Sequence, residues 1–163
     1  MKLFKYALLV AALFMASKVP AQISLQKPGS IQQGITDPTT WSYEVKKHNA
    51  NEYELIFHLK LKEAWHVWSL RPGGDGLEIA PSFTFDKNNM IHLAGDVTEN
   101  GRPVVTTMTG IDGKVTYYKD GVDYTQIVQV KGTAVVTGKH LYQVCSDEIC
   151  LPPKTLSFRF ELK

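Results

Sequence analysis

The chain has 163 residues, with 18 lysines and arginines against 16 aspartates and glutamates, for a formal net charge of +2. Such a small charge argues against nucleic acid as a partner, because binding to phosphates needs a clear basic excess. The length suits one domain with a sizeable core.

The first segment, residues 1–21, is predicted to be a signal peptide. Lys2 and Lys5 precede an apolar run from Tyr6 to Ala16, and Val19-Pro20-Ala21 places small residues at the −3 and −1 positions of a cleavage site. An uncleaved anchor is the weaker alternative, because a membrane span needs about 20 apolar residues. Cleavage after Ala21 leaves 142 residues with 15 basic and 16 acidic side chains, no further apolar span, and a chain exported to an oxidising compartment.

Residues 22–38 are polar and broken by glycine and proline, which predicts a leader or linker, and one domain is predicted over residues 39–163. The clearest strand signal covers 53–62, where apolar and polar residues alternate. No mature segment has a helical period, so many short strands predict an all-β sandwich. The predicted strands are 41–46, 53–62, 65–70, 82–86, 91–97, 114–118, 124–130, 133–137, 140–145 and 156–162.

One long connection is predicted from about residue 96 to residue 114, with Gly101, Pro103, Gly110 and Gly113 and little strand pattern. Connections of this length in compact domains are often functional lids, or else disordered.

Cys145 and Cys150 are the only cysteines, and a chain reversal over residues 146–149 would set them opposite each other. Opposed residues of antiparallel strands have Cα atoms about 4.5–5.5 Å apart, and disulfides span about 4.4–6.8 Å. An intramolecular disulfide is therefore predicted. Its loop of about six residues would contribute only ~2 kcal/mol of chain entropy. The spacing alone leaves open whether the bridge is a structural staple or a redox centre.

The residues around the cysteines bear on that choice. Asp147 and Glu148 are turn residues whose negative charge disfavours a nearby thiolate, so the pair should not react indiscriminately. Pro152 and Pro153 cannot donate ladder hydrogen bonds, which leaves the segment after Cys150 on an edge, open to a partner.

No metal site or cofactor is predicted, because the histidines lack metal-ligand spacing and no haem, phosphate-loop or serine-nucleophile motif occurs. The histidines are His48, His58, His66, His92 and His140. Strand alternation places His66 and Trp68 on one face and Trp65 and Val67 on the other.

Six runs of the chain carry a family resemblance: Ala64-Trp65-His66-Val67-Trp68-Ser69, Gly73-Gly74, Pro81-Ser82-Phe83-Thr84-Phe85, Leu93-Ala94-Gly95-Asp96-Val97-Thr98-Glu99, Val115-Thr116-Tyr117-Tyr118, and Tyr142-Gln143-Val144-Cys145 through Cys150-Leu151-Pro152-Pro153. In this order, over about residues 41–163, they resemble the N-terminal periplasmic domain of the thiol:disulfide interchange protein DsbD, in a stand-alone form of the Bacteroidetes type. The cysteine-containing run is the most specific of them.

This resemblance implies an immunoglobulin-like antiparallel β-sandwich in the periplasm, with Cys145 and Cys150 as a redox-active pair. Cys150 would form the mixed disulfide with partners and Cys145 would resolve it. His66 and Trp68 would lie beside the pair, and a cap loop at about residues 99–114 would shield it. The family's cap usually carries an aromatic residue, and here Ile111, ahead of Met108, is the expected apolar substitute.

The implied activity is that of a protein-disulfide reductase or interchange component, which relays electrons to or from thioredoxin-like periplasmic proteins. Because the family's membrane and thioredoxin-like domains are absent, we expect a monomer served by a separate membrane electron transporter. The rival hypothesis is a secreted binding sandwich with a purely structural disulfide. A structural bridge should have a reduction potential below about −300 mV.

Overall fold

A computed structural model describes residues 36–75 and 79–163, and these form an all-β domain of antiparallel strands. The predicted signal peptide, and the predicted leader up to residue 35, lie outside the described residues. In the part of the chain that is described, there is no helix with the length and apolarity of a membrane span.

Eleven strands are described, arranged in three sheets with the orders β1-β2-β8-β5, β10-β3-β7-β6 and β11-β9-β4. The strands are β1 Thr39–Lys47, β2 Glu52–Leu61, β3 His66–Gly73, β4 Ser82–Phe85, β5 Ile91–Gly101, β6 Val104–Thr106, β7 Val115–Tyr118, β8 Gly121–Val130, β9 Ala134–Tyr142, β10 Val144–Cys145 and β11 Lys154–Leu162.

The alternating pattern of β2 buries one face of the first sheet. Leu55, Phe57 and Leu59 are almost fully buried. The Phe57 ring packs edge-on against Phe83 of β4 and Phe158 of β11, each with ring centroids 4.9 Å apart. The first sheet therefore packs face to face on the β11-β9-β4 sheet, which confirms the predicted sandwich.

Two predicted boundaries are wrong. The predicted connection over residues 96–114 is about half strand, because β5 continues to Gly101 and β6 pairs with β7, so only residues 102–103 and 107–114 lie outside strands. The predicted break between strands 133–137 and 140–145 is instead a continuous β9 with Gly138 inside it. A Cβ at Gly138 would lie 2.2 Å from the Thr84 carbonyl oxygen and 2.4 Å from the Phe158 ring, so glycine there reflects close packing.

Glu99 ties the first sheet to the sheet that carries the cysteines. Its carboxylate accepts hydrogen bonds from the Ser69 hydroxyl and, at 2.7 Å, from the Leu70 amide, both on β3. Glu99 is thus part of a fixed strand, whereas the sequence assigned it to the cap loop.

Candidate redox site

The cysteines lie in a hairpin at the edge of the β10-β3-β7-β6 sheet. In β10, Val144 pairs with Val67 and Cys145 pairs with His66. The chain then reverses, the Ser146 amide donates to the Ile149 carbonyl at 2.7 Å, and Cys145 and Cys150 form an antiparallel bridge. The predicted hairpin therefore exists, but its strands are very short.

Polar side chains hold this turn in shape. The Ser146 hydroxyl accepts hydrogen bonds from the amides of Glu148 at 3.2 Å and Ile149 at 3.1 Å. The Gln143 amide donates to the Leu151 carbonyl at 2.9 Å, next to the point where the chain leaves the hairpin. Serine is common in turns because its hydroxyl can replace such backbone partners.

Cys145 and Cys150 are joined by a disulfide, with Cα atoms 3.9 Å apart, closer than the separation expected from strand pairing. Their exposures differ sharply. Cys145 is 2% exposed, whereas Cys150 is an exposed residue. This is the asymmetry expected if an apolar run ends at Cys145 and prolines follow Cys150. No strand is assigned to Pro152 or Pro153.

A hollow of about 340 Å³ lies over the disulfide. It is lined by His66, Trp68, Met108 and the segment from Cys145 to Cys150, which includes Asp147 and Glu148. Ile111 is not among these lining residues, and instead packs against the small cluster of Trp68, Val115 and Tyr117. The structure therefore puts Met108 nearer the disulfide, the reverse of the preference from sequence.

The short segment that carries Met108 is anchored at its end. The Lys114 carbonyl accepts a hydrogen bond from the Gly74 amide at 3.0 Å, beside the end of β3. Gly73 has φ of +79°, and a Cβ there would lie 2.6 Å from the same carbonyl oxygen. Glycine at this position lets the two backbones approach.

The electrostatics of the hollow combine a buried imidazole with exposed carboxylates. His66 is 5% exposed, and Asp147 and Glu148 are exposed. Burial lowers the pKa of His66, the Asp147 charge opposes this effect, and the Lys119 charge adds to it. Within the described residues, no group of three or more histidine, cysteine or acidic side chains could hold a metal ion.

The fold is similar to solved structures of low sequence identity. The N-terminal periplasmic domain of ScsB from Proteus mirabilis matches with a TM-score of 0.56 and 16% identity, over 77% of this chain and 47% of that chain. The chain thus spans about half the length of that structure. The reduced DsbD N-terminal domain of Neisseria meningitidis matches with a TM-score of 0.48 and 12% identity, over 74% of this chain and 84% of that one. Comparison with curated proteins gives no match.

The sequence itself decides the family. Residues 32–162 match the model of the family described as the thiol:disulfide interchange protein DsbD, N-terminal. The chain belongs to this family. The matched DsbD N-terminal region contains both cysteines and every strand of the sandwich, so the predicted immunoglobulin-like fold is confirmed.

One neighbour of the DsbD-type site, Tyr117, was absent from the residues predicted at the site. Its ring centroid lies 4.7 Å from that of His66 and 5.9 Å from that of Trp68. The signal was present in the Val115-Thr116-Tyr117-Tyr118 run, because alternation puts residues 115 and 117 on one face of β7. Sequence alone did not show that β7 pairs with β3, which brings that face to the hollow.

Proposed function

We propose that this chain is a periplasmic thiol:disulfide exchange module, which relays electrons through the Cys145–Cys150 pair to or from thioredoxin-like proteins. The observation that carries the proposal is the unequal exposure of the two cysteines, with Cys145 2% exposed and Cys150 exposed. A disulfide at a sheet edge with one accessible end suits attack by a partner at that end. Family membership supports the same chemistry.

The exchange proceeds in two balanced steps. A partner thiolate attacks the Cys150 sulfur, a mixed disulfide forms, and the Cys145–Cys150 bond breaks with its electron pair left on Cys145. A second thiolate of the partner then attacks the mixed disulfide. It leaves the partner oxidised and Cys150 reduced. Run in reverse, the same steps reduce a partner's disulfide, and Cys145 is then the resolving thiol.

Met108 serves as the apolar cover of the pair. It lines the hollow over the disulfide, and it is partly buried against the cluster that contains Trp68. A methionine side chain is flexible and adapts to irregular surfaces. It can therefore shield the sulfurs and still yield to a docking partner.

Export and partners complete the proposal. The chain is exported by a signal peptide cleaved after Ala21, leaving residues 22–38 as a leader and residues 39–163 as the domain. It acts as a monomer, and a separate membrane electron transporter supplies or removes its electrons. Its activity is that of a protein-disulfide reductase or interchange component.

The deciding experiment is the reduction potential of the Cys145–Cys150 couple, measured by equilibration with glutathione and read by mass after alkylation. An exchange module equilibrates within the glutathione range, at about −180 to −260 mV. A potential below about −300 mV would favour the alternative function, a secreted binding module with a structural disulfide.

A further inference from the structure

We propose that His66 is the proton donor and acceptor for the Cys145 sulfur during thiol–disulfide exchange. The inference rests on the proposed exchange function, and it assigns to a ring that lines the site a chemical role in the reaction.

The strand register places His66 beside the buried sulfur. Cys145 pairs directly with His66 across β10 and β3. Side chains of directly paired residues lie on the same face of a sheet, with Cβ atoms about 4.5–5.5 Å apart. Both residues also line the same hollow. No other histidine is among the residues that line it.

The His66 side chain is largely buried, and its ring makes aromatic contacts rather than a hydrogen bond to another described residue. It is 5% exposed, and its contacts are with the rings of Trp68 and Tyr117, at centroid distances of 5.2 and 4.7 Å. By contrast, His140 shares a hydrogen bond of 3.0 Å with the Tyr43 hydroxyl through Nε2, while its Nδ1 is buried without a partner. The His66 nitrogens are not among the fully buried side-chain atoms that lack a partner. His66 also lines the hollow together with Cys145, so its ring is placed to meet a group that appears only when the disulfide opens.

That group is the sulfur of Cys145. When a partner thiolate attacks Cys150, the bond pair stays on Cys145 as a thiolate, and a buried charge without a partner is unfavourable. Asp147 and Glu148, which line the same hollow, make a negative sulfur still less favourable. Transfer of a proton from an imidazolium at His66 gives a neutral thiol and a neutral imidazole. In the reverse direction, the neutral imidazole accepts that proton and Cys145 attacks the mixed disulfide as a thiolate.

The charged groups around the ring suit this exchange. Burial lowers the pKa of His66, so near pH 7 the ring is mostly neutral, the form that can accept a proton, and the imidazolium is a stronger acid than a free one. Asp147 of the turn attracts the proton and Lys119 repels it. Glu63 and Asp120 line a second hollow that His66 also lines, and Tyr117 packs on the ring.

The test separates the two cysteines in one reaction. The reduced chain is mixed with dithiobis-nitrobenzoate. The first coloured thiolate is released when the exposed cysteine forms a mixed disulfide, and the second when Cys145 closes the bridge. In His66→Gln we expect the second release to slow by about a hundredfold at pH 7, the low end of general acid–base effects. The first release should be unchanged. This deficit, the lower rate of the second release in His66→Gln than in the unmodified chain, should shrink as the pH rises, because Cys145 then ionises without a base.

His66→Phe keeps an aromatic ring in the cluster and should behave as His66→Gln does. His92→Gln removes an exposed histidine on β5 and should match the unmodified chain. Equal second-phase rates in His66→Gln and the unmodified chain would overturn the proposal. So would a deficit that is constant across pH, because it would report a displaced sulfur.

The experiment distinguishes failure of this inference from failure of the proposed function. A couple too reducing to equilibrate with glutathione would remove the exchange role, while the pH-dependent deficit of His66→Gln would still establish the proton transfer. A couple that equilibrates normally, with no effect of His66→Gln, would keep the exchange role and reject the role of His66.

Discussion

At the scale of single residues, two cysteines five positions apart differ in solvent exposure because only one of them belongs to a paired strand. Cys145 pairs with β3 and is 2% exposed, whereas Cys150 lies beyond the turn and is exposed. The sequence could predict this difference, since an apolar run precedes one cysteine and two prolines follow the other. It could not predict Tyr117 at the site, because that depends on the pairing of β7 with β3.

Cys145→Ser should trap a mixed disulfide with a thioredoxin-like partner, because Cys150 remains accessible and the resolving thiol is gone. Cys150→Ser should trap little, because the remaining thiol is buried. The measurement is non-reducing electrophoresis of a periplasmic extract after rapid acid quenching, with the double serine variant as the control. The opposite trapping pattern would reverse the assigned roles, and no trapping by either variant would count against exchange.

Met108→Ala should make the reduced pair react severalfold faster with a small alkylating reagent. The reason is that Met108 lines the hollow over the cysteines, and its truncation opens the approach. Ile111→Ala is the matched control, because Ile111 packs on the same Trp68 cluster as Met108 but does not line the hollow. Alkylation rates under pseudo-first-order conditions decide between them, and a faster reaction in Ile111→Ala alone would restore the preference drawn from the sequence.

At the scale of elements, the alternation of apolar and polar residues predicted the strands well where one face is buried, as in β2 and β11. The strand prediction failed at Gly138, because glycine often marks a turn but this glycine lies within β9. The reason is tertiary, because β9 is the central strand of its sheet and Gly138 lies opposite both Phe85 and Phe158. Short strands such as β6, with three residues, carry too little pattern to be recognised.

Gly138→Ala should destabilise the domain by about 1–3 kcal/mol, the usual cost of overpacking a well-filled site. The added Cβ would meet the Thr84 carbonyl oxygen at 2.2 Å, which is backbone and cannot rotate away. Lys139→Ala, at the exposed next position of β9, should change stability by less than about 0.5 kcal/mol. Urea unfolding of the unmodified chain, Gly138→Ala and Lys139→Ala measures the difference in stability. Equal midpoints would show that β4 and β11 can move apart from β9 without loss of stability.

At the scale of the whole molecule, the core does not depend on the bridge. The core cluster extends across all three sheets and includes Phe57, Val67 and Phe160. The double variant Cys145→Ser, Cys150→Ser should therefore remain folded, with a loss of about 2 kcal/mol from a typical stability of ~5–15 kcal/mol. A cooperative thermal transition would agree with this, whereas an unfolded variant at room temperature would support a structural staple.

Acid should destabilise the whole domain through the buried His140, which is 1% exposed. Burial lowers the pKa of His140 to about 4 from its ordinary value of 6.5. Between these values the unfolded chain holds a proton that the folded chain lacks, so the free energy of unfolding falls as the pH drops. The fall saturates at about 3 kcal/mol. The pKa of His66 is also lowered, and it acts in the same direction.

His140→Phe should flatten this dependence, because it removes the titrating ring and keeps an aromatic side chain beside Trp41 and Phe83, which now lie 4.3 and 5.6 Å from the imidazole. His92→Gln, at an exposed position, should keep the original slope. Urea unfolding between pH 4 and pH 7 provides the measurement. The readout is the change of stability with pH, so an overall offset from the lost Tyr43 hydrogen bond does not affect it. If the free energy of unfolding falls equally with pH in His140→Phe and in the unmodified chain, His140 is not the source of the acid sensitivity.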